Sequence, residues 1–324
     1  MCTCNGEAYI REQLSSFLAQ TRLPDELVVC DDASTDATVS ILQSFKETAP
    51  FPVQIFVNES NLRVCKNFEK AIFNCTGDII ALSDQDDIWL PEKLATLLDA
   101  FEKNPQCGYI FSNADLIDER GKYIGRDLWQ SIGFDKRKQE RYSTGDQLAV
   151  MLHWFTLPYG MTMAFRASLK PKLGAFECRF PLAALHDTWI SLFLTAIGAY
   201  GVALPSSLVK YRQHPAQLAS GGRPLGFMEL VMIRRSDMAG PYNHFAEFLE
   251  SLTQRLLELD PSSEIGLRAR KLFTEKAVHV RSRIRANSCH GFKRFKIIFF
   301  EALSGRYRTY SRSFKSILKD LISK

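Results

Sequence analysis

The sequence predicts an α/β protein: a Rossmann-like, mostly parallel central sheet flanked by helices, followed by a helical, basic C-terminal region. Two observations carry that class. Over the first 113 residues, short apolar runs alternate with stretches of helical periodicity, as repeated β-α-β units require. Beyond Gly226 the apolar positions recur at helical spacing only, and basic residues accumulate. With 324 residues, 46% apolar and 24% charged, the chain has an ordinary globular composition and can bury a sizeable core. The expected division is 1–220 for the α/β part and 221–324 for the helical part.

Each element has a local reason. Met1-Cys2-Thr3 runs straight into a helical pattern over Glu7–Gln20, whose Ile10, Leu14, Phe17 and Leu18 share a face. That leaves no room for an opening strand of about 5–6 residues. Met1 is therefore read as an internal methionine of a longer chain, and the chain extended upstream is expected to be more stable. Leu27-Val28-Val29-Cys30 forms a short buried strand that ends at Asp31-Asp32. Ser34-Thr35-Asp36 can cap a second helix carrying Val39, Leu42 and Phe45. A strand over Val53–Val57 and a helix over Val64–Cys75 follow, the latter turning Phe68, Ala71, Ile72 and Cys75 inward. Next come strand 79–83, helix 91–103 with Pro91 in its first turn, and strand 108–112. The second half is less regular. Asp118–Lys122 reads as a hairpin turn, polar residues 122–145 as a mobile loop, and Tyr159–Phe165 as a strand. Asp187–Ile197 reads as a helix, Val202–Leu204 and Leu208–Arg212 as two short strands, and Asp260–Ser263 as a polar break in the helical tail.

Several classes drop out. No run reaches the ~18 apolar residues of a membrane span. The amino end is polar within five residues, unlike a secretory signal. The eight cysteines are scattered and expected to be reduced, and the Cys2/Cys4 pair lacks a second Cys/His pair for zinc.

The chemistry concentrates at Asp84-Gln85-Asp86-Asp87, between a buried strand and a helix start. Open α/β sheets bind ligands at the carboxyl ends of their strands. Three carboxylates in four residues repel one another unless neutralised. Taken alone, the tetrapeptide leaves two readings: a divalent cation carrying a phosphate-bearing ligand, or a solvated acidic turn. Other motifs stand in order around it: Thr3-Cys4-Asn5-Gly6-Glu7, Asp31-Asp32-Ala33-Ser34-Thr35-Asp36, Asn61-Leu62-Arg63-Val64, Leu82 through Trp89, His186-Asp187-Thr188-Trp189, and Tyr211-Arg212-Gln213-His214.

This ordered series, covering residues 1 to about 215, resembles the family 2 glycosyltransferases of the GT-A fold. Within them it is most similar to the bacterial rhamnosyltransferase-like branch. The resemblance implies an inverting transfer of a sugar from a dTDP- or UDP-sugar, with dTDP-rhamnose the leading donor, to a glycan or lipid-linked glycan hydroxyl in cell-surface polysaccharide synthesis. It implies that Asp32 accepts a hydrogen bond from the pyrimidine N3–H. Asp31 either assists Asp32 or caps the turn. Thr3 and Glu7 fall on the nucleotide-binding turn. Arg63 either reaches a phosphate or points to solvent. Asp84 matches the first member of the DxD motif, Asp86 matches the ligand of Mg²⁺ or Mn²⁺, and Asp87 supports the turn. His214 either reaches the metal or diphosphate or is a polar loop histidine. Asp187 matches the catalytic base that takes the acceptor proton, and it can also cap its helix. Trp89 and Trp189 either stack on an acceptor sugar or pack in the core. Two positions depart from the pattern: Cys4 stands where Tyr is usual, and Arg63 where Gly is common.

Two competing classes are weighed beside it. One is a catalytically inactive GT-A-like module that binds glycan or protein. The other is a nucleotidyltransferase, which would want a basic, Gly-rich phosphate loop near the amino end; the sequence has none. The net charge of +5 hides an asymmetry: residues 265–324 hold 16 Lys and Arg against 3 Asp and Glu, while residues 1–264 hold 25 against 33. In the tail, Phe292, Phe295, Phe299 and Leu303 share a helical face beside Lys293 and Arg294. That stripe fits peripheral membrane contact, or burial against a partner helix or the α/β part. No nucleic-acid-binding motif accompanies the basic residues, so nucleic acid is not an expected partner. The expected location is the cytoplasm, peripheral on the inner face of the cell membrane.

Overall fold

The computed structural model describes residues 1–154, 158–177, 185–215, 217, 235–311 and 314–322. These fall into two compact units: residues 1–139, 158–176 and 199–222 in the first, and 140–157, 177–198 and 223–324 in the second. The expected border at 220/221 lies outside the described residues.

The first unit opens with strands β1 (Cys2–Thr3), β2 (Leu27–Asp31) and β3 (Val53–Val57), interleaved with helices α1 (Ile10–Leu18) and α2 (Thr38–Thr48). All three strands pair in parallel, in the order β1-β2-β3, with Thr3 opposite Asp31 and Asp31 opposite Val57. β2 is buried along its whole length, as its apolar, β-branched sequence demands. The amino group of Met1 donates to Val28 O at 2.7 Å in this buried layer. Helix α3 (Arg63–Asn74) turns Phe68, Ala71 and Ile72 inward. β4 (Ile79–Ala81) then ends near β1, where Cys2 N donates to Ser83 O at 3.3 Å. The carboxyl ends of β1, β2 and β4 therefore share one edge.

A second sheet runs in the order β4-β8-β6-β9-β5, with β7 pairing the carboxyl-terminal part of β6. Its strands are β5 (Ile88–Trp89), β6 (Tyr109–Ile117), β7 (Tyr123–Asp127), β8 (Met163–Arg166) and β9 (Gly201–Arg212). Helix α4 (Lys93–Lys103) packs Leu97, Ala100 and Phe101 against Ile110, Ala164 and Leu208 of this sheet. β6 and β9 are parallel, while β4-β8, β6-β8, β5-β9 and β6-β7 are antiparallel. The sheet is thus mixed rather than mostly parallel: buried strands read the same in either sense, so their apolar runs carry no direction.

Three local expectations are corrected. Residues 122–145 are not a loop: they form β7, α5 (Leu128–Ile132) and α6 (Lys136–Thr144). A reciprocal capping box between Asp127 and Gln130 starts α5, and Leu128 and Trp129 are buried. The two short strands over 202–212 are one, because the register passes from Leu204 opposite Ser112 to Ser207 opposite Asn113. Pro205 and Ser206 bulge out of the ladder, where a proline lacking its N–H is tolerated. The expected strand over Tyr159–Phe165 is a 3-10 turn at Gly160–Thr162 followed by β8. The hairpin turn holds, with Asp118 N donating to Lys122 O. Short helix α8 (Lys170–Leu173) completes the described helices of this unit.

The second unit is helical. It contains α7 (Gln147–Trp154), α9 (His186–Ala196), α10 (Arg235–Leu259), α11 (Glu264–Asn287), α12 (Gly291–Leu303), α13 (Arg306–Tyr310) and α14 (Phe314–Ile322). Its core includes Phe193, Phe245, Phe248, Leu252 and Phe273. The polar break stands where expected, and Ser263 caps α11 by accepting from Gly266 N. Cys2, Cys4, Cys30, Cys75, Cys107 and Cys289 are free thiols, but Cys65 is disulfide-bonded, against the expectation of reduced cysteines. Cysteine spacing does not say which thiols meet in space.

Candidate functional site

The site is built on the shared carboxyl edge of β1, β2 and β4. Asp31 and Asp32 end β2 side by side, yet they do different work. Asp31 is fully buried and spent on the turn: Oδ2 accepts from Thr3 Oγ1 and Ser34 Oγ, both at 2.6 Å, and Oδ1 accepts from Ser34 N at 2.9 Å. Of the two expected roles, the structure gives Asp31 the cap, and Thr3 supports it. Asp32 reaches across to the loop before α3. Its Oδ1 accepts from Asn58 Nδ2 (2.9 Å) and Leu62 N (2.7 Å), and its Oδ2 from Arg63 N (2.8 Å). Asn58 in turn accepts from Lys70 Nζ and donates to Asn67, whose amide donates to Cys30 O. This buried amide chain ties the end of β2 to α3. Glu7 is exposed, and its carboxylate accepts from Ala37 N at the start of α2.

The acidic turn after β4 is fixed by residues far away in sequence. Gln85 clamps the first turn reciprocally: Cys4 N donates to Gln85 Oε1 (2.8 Å) and Gln85 Nε2 donates to Cys4 O (3.0 Å). A Cβ on Gly6 would stand 2.6 Å from Gln85 Cδ, so glycine is required for this approach. Arg212, with its side chain wholly buried at the end of β9, holds the other side. Its Nε donates to Asp86 O (2.8 Å), Nη1 to Glu119 O (3.0 Å) and Nη2 to Glu12 Oε2 (2.9 Å), while its guanidinium lies 4.8 Å from the Tyr9 ring centre. Two residues on, His214 Nε2 lies 2.9 Å from Asp86 Oδ2. Both side chains are only slightly exposed, and the imidazole sits 4.9 Å from the Tyr9 ring.

Asp84 is half-buried at the end of the strand, and its carbonyl accepts from Ser83 Oγ. Asp87 is fully buried and accepts from Arg212 N at 3.1 Å, as a residue supporting the turn would. Burial pushes its carboxyl up, and the neighbouring Asp86 and Asp84 push it further. Lys93, equally buried, is pulled down by desolvation, with Asp87 and Asp84 opposing. Its ammonium donates to Met161 O and lies 3.8 Å from the Trp89 ring centre.

Asp86 and His214 therefore bring one carboxylate oxygen and one imidazole nitrogen within 2.9 Å of each other, with Asp84 two residues away on the same turn. Such a donor set suits Mg²⁺ or Mn²⁺ when phosphate oxygens and water complete the shell, since Mg²⁺ is commonly held through one or two carboxylates plus substrate phosphates. Among the described residues there is no group of three or more His, Cys, Asp and Glu arranged to hold a metal by itself.

Among the described residues, three non-glycine residues have positive φ: Asn5 (φ 49°), Ala33 (φ 58°) and Arg63 (φ 68°). All three lie in the turns that frame this edge, where strained conformations mark positions over-determined by their surroundings. Arg63 is instructive. It replaces the glycine common in the resembling enzymes at a position whose φ favours glycine. Its side chain is exposed and its N–H is engaged by Asp32 and Asn61.

Asp187 belongs to the second unit. It is a helical residue in the first turn of α9 rather than the cap, which is Leu185. Its half-buried carboxylate accepts from Thr188 N at 2.6 Å, and the helix dipole favours an anion there. The neighbouring His186 is buried, and desolvation pulls its imidazole down to about 4, with Asp187 opposing. Trp89 packs edge-on against Phe17 at 4.7 Å, and Trp189 stacks on Phe193 at 6.3 Å; both are buried, so both are core residues rather than sugar-stacking surfaces.

The first unit thus gathers Thr3, Asp31, Asp32, Arg63, Asp84, Asp86 and His214 at one sheet edge, with Glu7 in the exposed turn beside it. The motif reading passed over Gln85, Arg212, Asn58 and Lys93. Arg212 had a signal, since it lies in the same tetrapeptide as His214.

The model of the glycosyl transferase family 2 matches residues 1–170. A *Mycobacterium tuberculosis* protein, the uncharacterized Rv1520, is 34% identical over 119 residues, which are 36% of this chain and 34% of that protein. The chain thus aligns with about a third of the length of this relative. The dTDP-rhamnosyl transferase RfbG of *Shigella flexneri* is 33% identical over 119 residues, 36% of this chain and 38% of RfbG. Among solved structures, *S. aureus* TarS 1-349 in complex with UDP-GlcNAc superposes with a TM-score of 0.52 at 16% identity, covering 98% of this chain and 87% of that one. The fold is GT-A. With more than half of its length matched by the family model, the chain belongs to glycosyl transferase family 2.

Proposed function

We propose that this protein is an inverting glycosyltransferase that moves a sugar from a nucleotide diphosphate sugar to a glycan or lipid-linked glycan hydroxyl. The single observation behind the reading is the Asp86–His214 pair, held 2.9 Å apart at the carboxyl edge by the buried Arg212. A fully buried guanidinium that fixes an acidic turn costs desolvation, and that cost is more easily understood where the turn must hold a set geometry.

In this reading Asp86, Asp84 and His214 hold Mg²⁺ or Mn²⁺, which when bound supplies Lewis-acid stabilisation of the departing nucleoside diphosphate. Asp32 orients the base. Its carboxylate accepts three hydrogen bonds from the chain, and a carboxylate has about four acceptor sites, so the count admits one pyrimidine N–H. Thr3, Asp31 and Glu7 keep the surrounding turns in place, and Arg63 extends its exposed guanidinium toward a phosphate. Asp187 takes the proton from the attacking hydroxyl, because a sugar hydroxyl is a poor nucleophile unless that proton leaves as it attacks. The likeness to RfbG favours dTDP-rhamnose as donor; the TarS complex favours a UDP-sugar.

The test is a screen of donor hydrolysis across nucleotide sugars with Mg²⁺ or Mn²⁺, with Asp187→Asn as the control. The reading expects hydrolysis of one donor class, dependent on metal and abolished in the variant. No hydrolysis with any donor, or undiminished hydrolysis by Asp187→Asn, would contradict it.

A further inference from the structure

Helix α12 of the second unit has a mixed buried face and a second, exposed apolar face. Two of its charged residues, Arg294 and Glu301, point inward. The buried Glu301 accepts from Arg306 Nε and Nη2, both at 2.7 Å, and meets His279 Nδ1 at 2.7 Å. His279 Nε2 in turn lies 2.6 Å from Ser311 Oγ. Arg294 donates to Asp320 O of α14, whose carboxylate is forked by Arg283 at 2.6 and 2.9 Å and accepts from Tyr307 OH at 2.6 Å. This network sets the rotation of α12 about its axis, since turning the helix would leave buried charges unpaired.

Ile298 is buried beside Ala286 and Tyr307, but the aromatic residues and Leu303 point outward. Phe292 is 80% exposed, Phe295 51%, Phe299 48%, Phe300 57% and Leu303 67%. At 100° per residue, Phe292, Phe295, Phe299 and Leu303 form one stripe, with Phe300 at its margin. On α14, Phe314 is 70% exposed and Ile322 49%. An ordinary surface helix turns such a stripe to the core, and a contiguous exposed apolar patch marks an interaction surface.

Charge selects the occupant. Lys296 is exposed within the apolar arc, and Lys293 is exposed at its edge. An ammonium inside a packed protein interface needs a carboxylate partner, whereas at a lipid surface its stem lies along the acyl boundary and its head reaches the phosphates. The surrounding residues 265–324 carry 16 basic against 3 acidic groups, which attract anionic headgroups. Among the described residues no helix is long and apolar enough to cross a membrane.

We propose that α12 lies in the plane of an anionic lipid surface, with Phe292, Phe295, Phe299 and Leu303 inserted at the headgroup boundary and Lys293 and Lys296 on phosphates. This stands independently of the glycosyltransferase reading. The full chain is sedimented with phosphatidylcholine vesicles, with and without phosphatidylglycerol, beside Phe292→Ser/Phe299→Ser and Lys293→Glu/Lys296→Glu variants. All four positions are exposed, so the fold is expected to survive and is checked by circular dichroism. The proposal expects binding that requires phosphatidylglycerol and weakens about tenfold or more in each variant. Equal binding to both vesicle types, or variants that bind like the wild type, would overturn it. So would an absence of vesicle binding together with a wild-type dimer that Phe292→Ser/Phe299→Ser dissolves, which would assign the stripe to a second copy.

Discussion

Replacing Arg212 by Ala probes how the acidic turn is held. The side chain is wholly buried and donates to two backbone carbonyls, Asp86 O and Glu119 O, and to the carboxylate of Glu12. Hydrogen bonds to a charged group contribute about 1.5–3 kcal/mol each, so the two carbonyl bonds together represent roughly 3–6 kcal/mol. The Glu12 side chain is 53% exposed, so that ion pair adds only about 0–1 kcal/mol after solvent screening. Arg212→Ala is therefore expected to lose roughly 3–7 kcal/mol, a large part of the typical 5–15 kcal/mol of a folded domain. Arg212→Lys keeps the charge but not the planar fork, and should recover only part of the loss. Urea unfolding of the three proteins side by side measures the difference. A loss below about 1 kcal/mol for Arg212→Ala would refute the claim that this residue anchors the turn.

Other perturbations have equally specific outcomes. Gly6→Ala places a Cβ against the Gln85 amide, breaks its two bonds to Cys4 and should destabilise by about 1–3 kcal/mol in thermal or urea melts; an unchanged protein would show that Gln85 is not a clamp. Arg63→Gly relieves a left-handed backbone at some cost in chain entropy, so stability should hold or rise by up to about 1 kcal/mol, while a clear loss would show that the exposed guanidinium is structurally engaged. His186 gives a pH signature. Its folded value is depressed to about 4 from 6.5, so above pH 6.5 neither state carries the proton and the residue contributes no pH dependence. Between 6.5 and 4 the unfolded state binds a proton that the folded state refuses, and stability falls by up to about 3 kcal/mol. Subtracting the pH–stability curve of His186→Phe should isolate that loss; parallel curves would contradict burial as its cause.

What the sequence could carry depended on range. Apolar periodicity is local, so the strand at 27–31, the helices at 38–48 and 93–103 and the hairpin at 118–122 were legible. Strand direction was not, since a buried run such as Tyr109–Ile117 pairs in parallel with β9 and antiparallel with β8. Polar composition hid α5, whose start depends on the pair Asp127 and Gln130 rather than on hydrophobicity. In the site, the acidic residues could be read because they adjoin one another in sequence. The Arg212 bonds to Asp86 and Glu12 span 126 and 200 residues, and the Gln85–Cys4 clamp spans 81; a single sequence holds no term that couples such positions. The tail shows the opposite case: its Phe stripe was plain in the sequence, but that it faces outward follows only from the buried ion pairs of Glu301 and Asp320.

Titration of the protein with UDP and dTDP in an isothermal calorimeter, with Mn²⁺ and then with the metal chelated, tests the central claim most directly. The account predicts binding that requires the metal and falls at least about tenfold in both Asp86→Ala and His214→Ala, as loss of one ligand from a small donor set implies. Nucleotide binding that ignores the metal and both substitutions would contradict it.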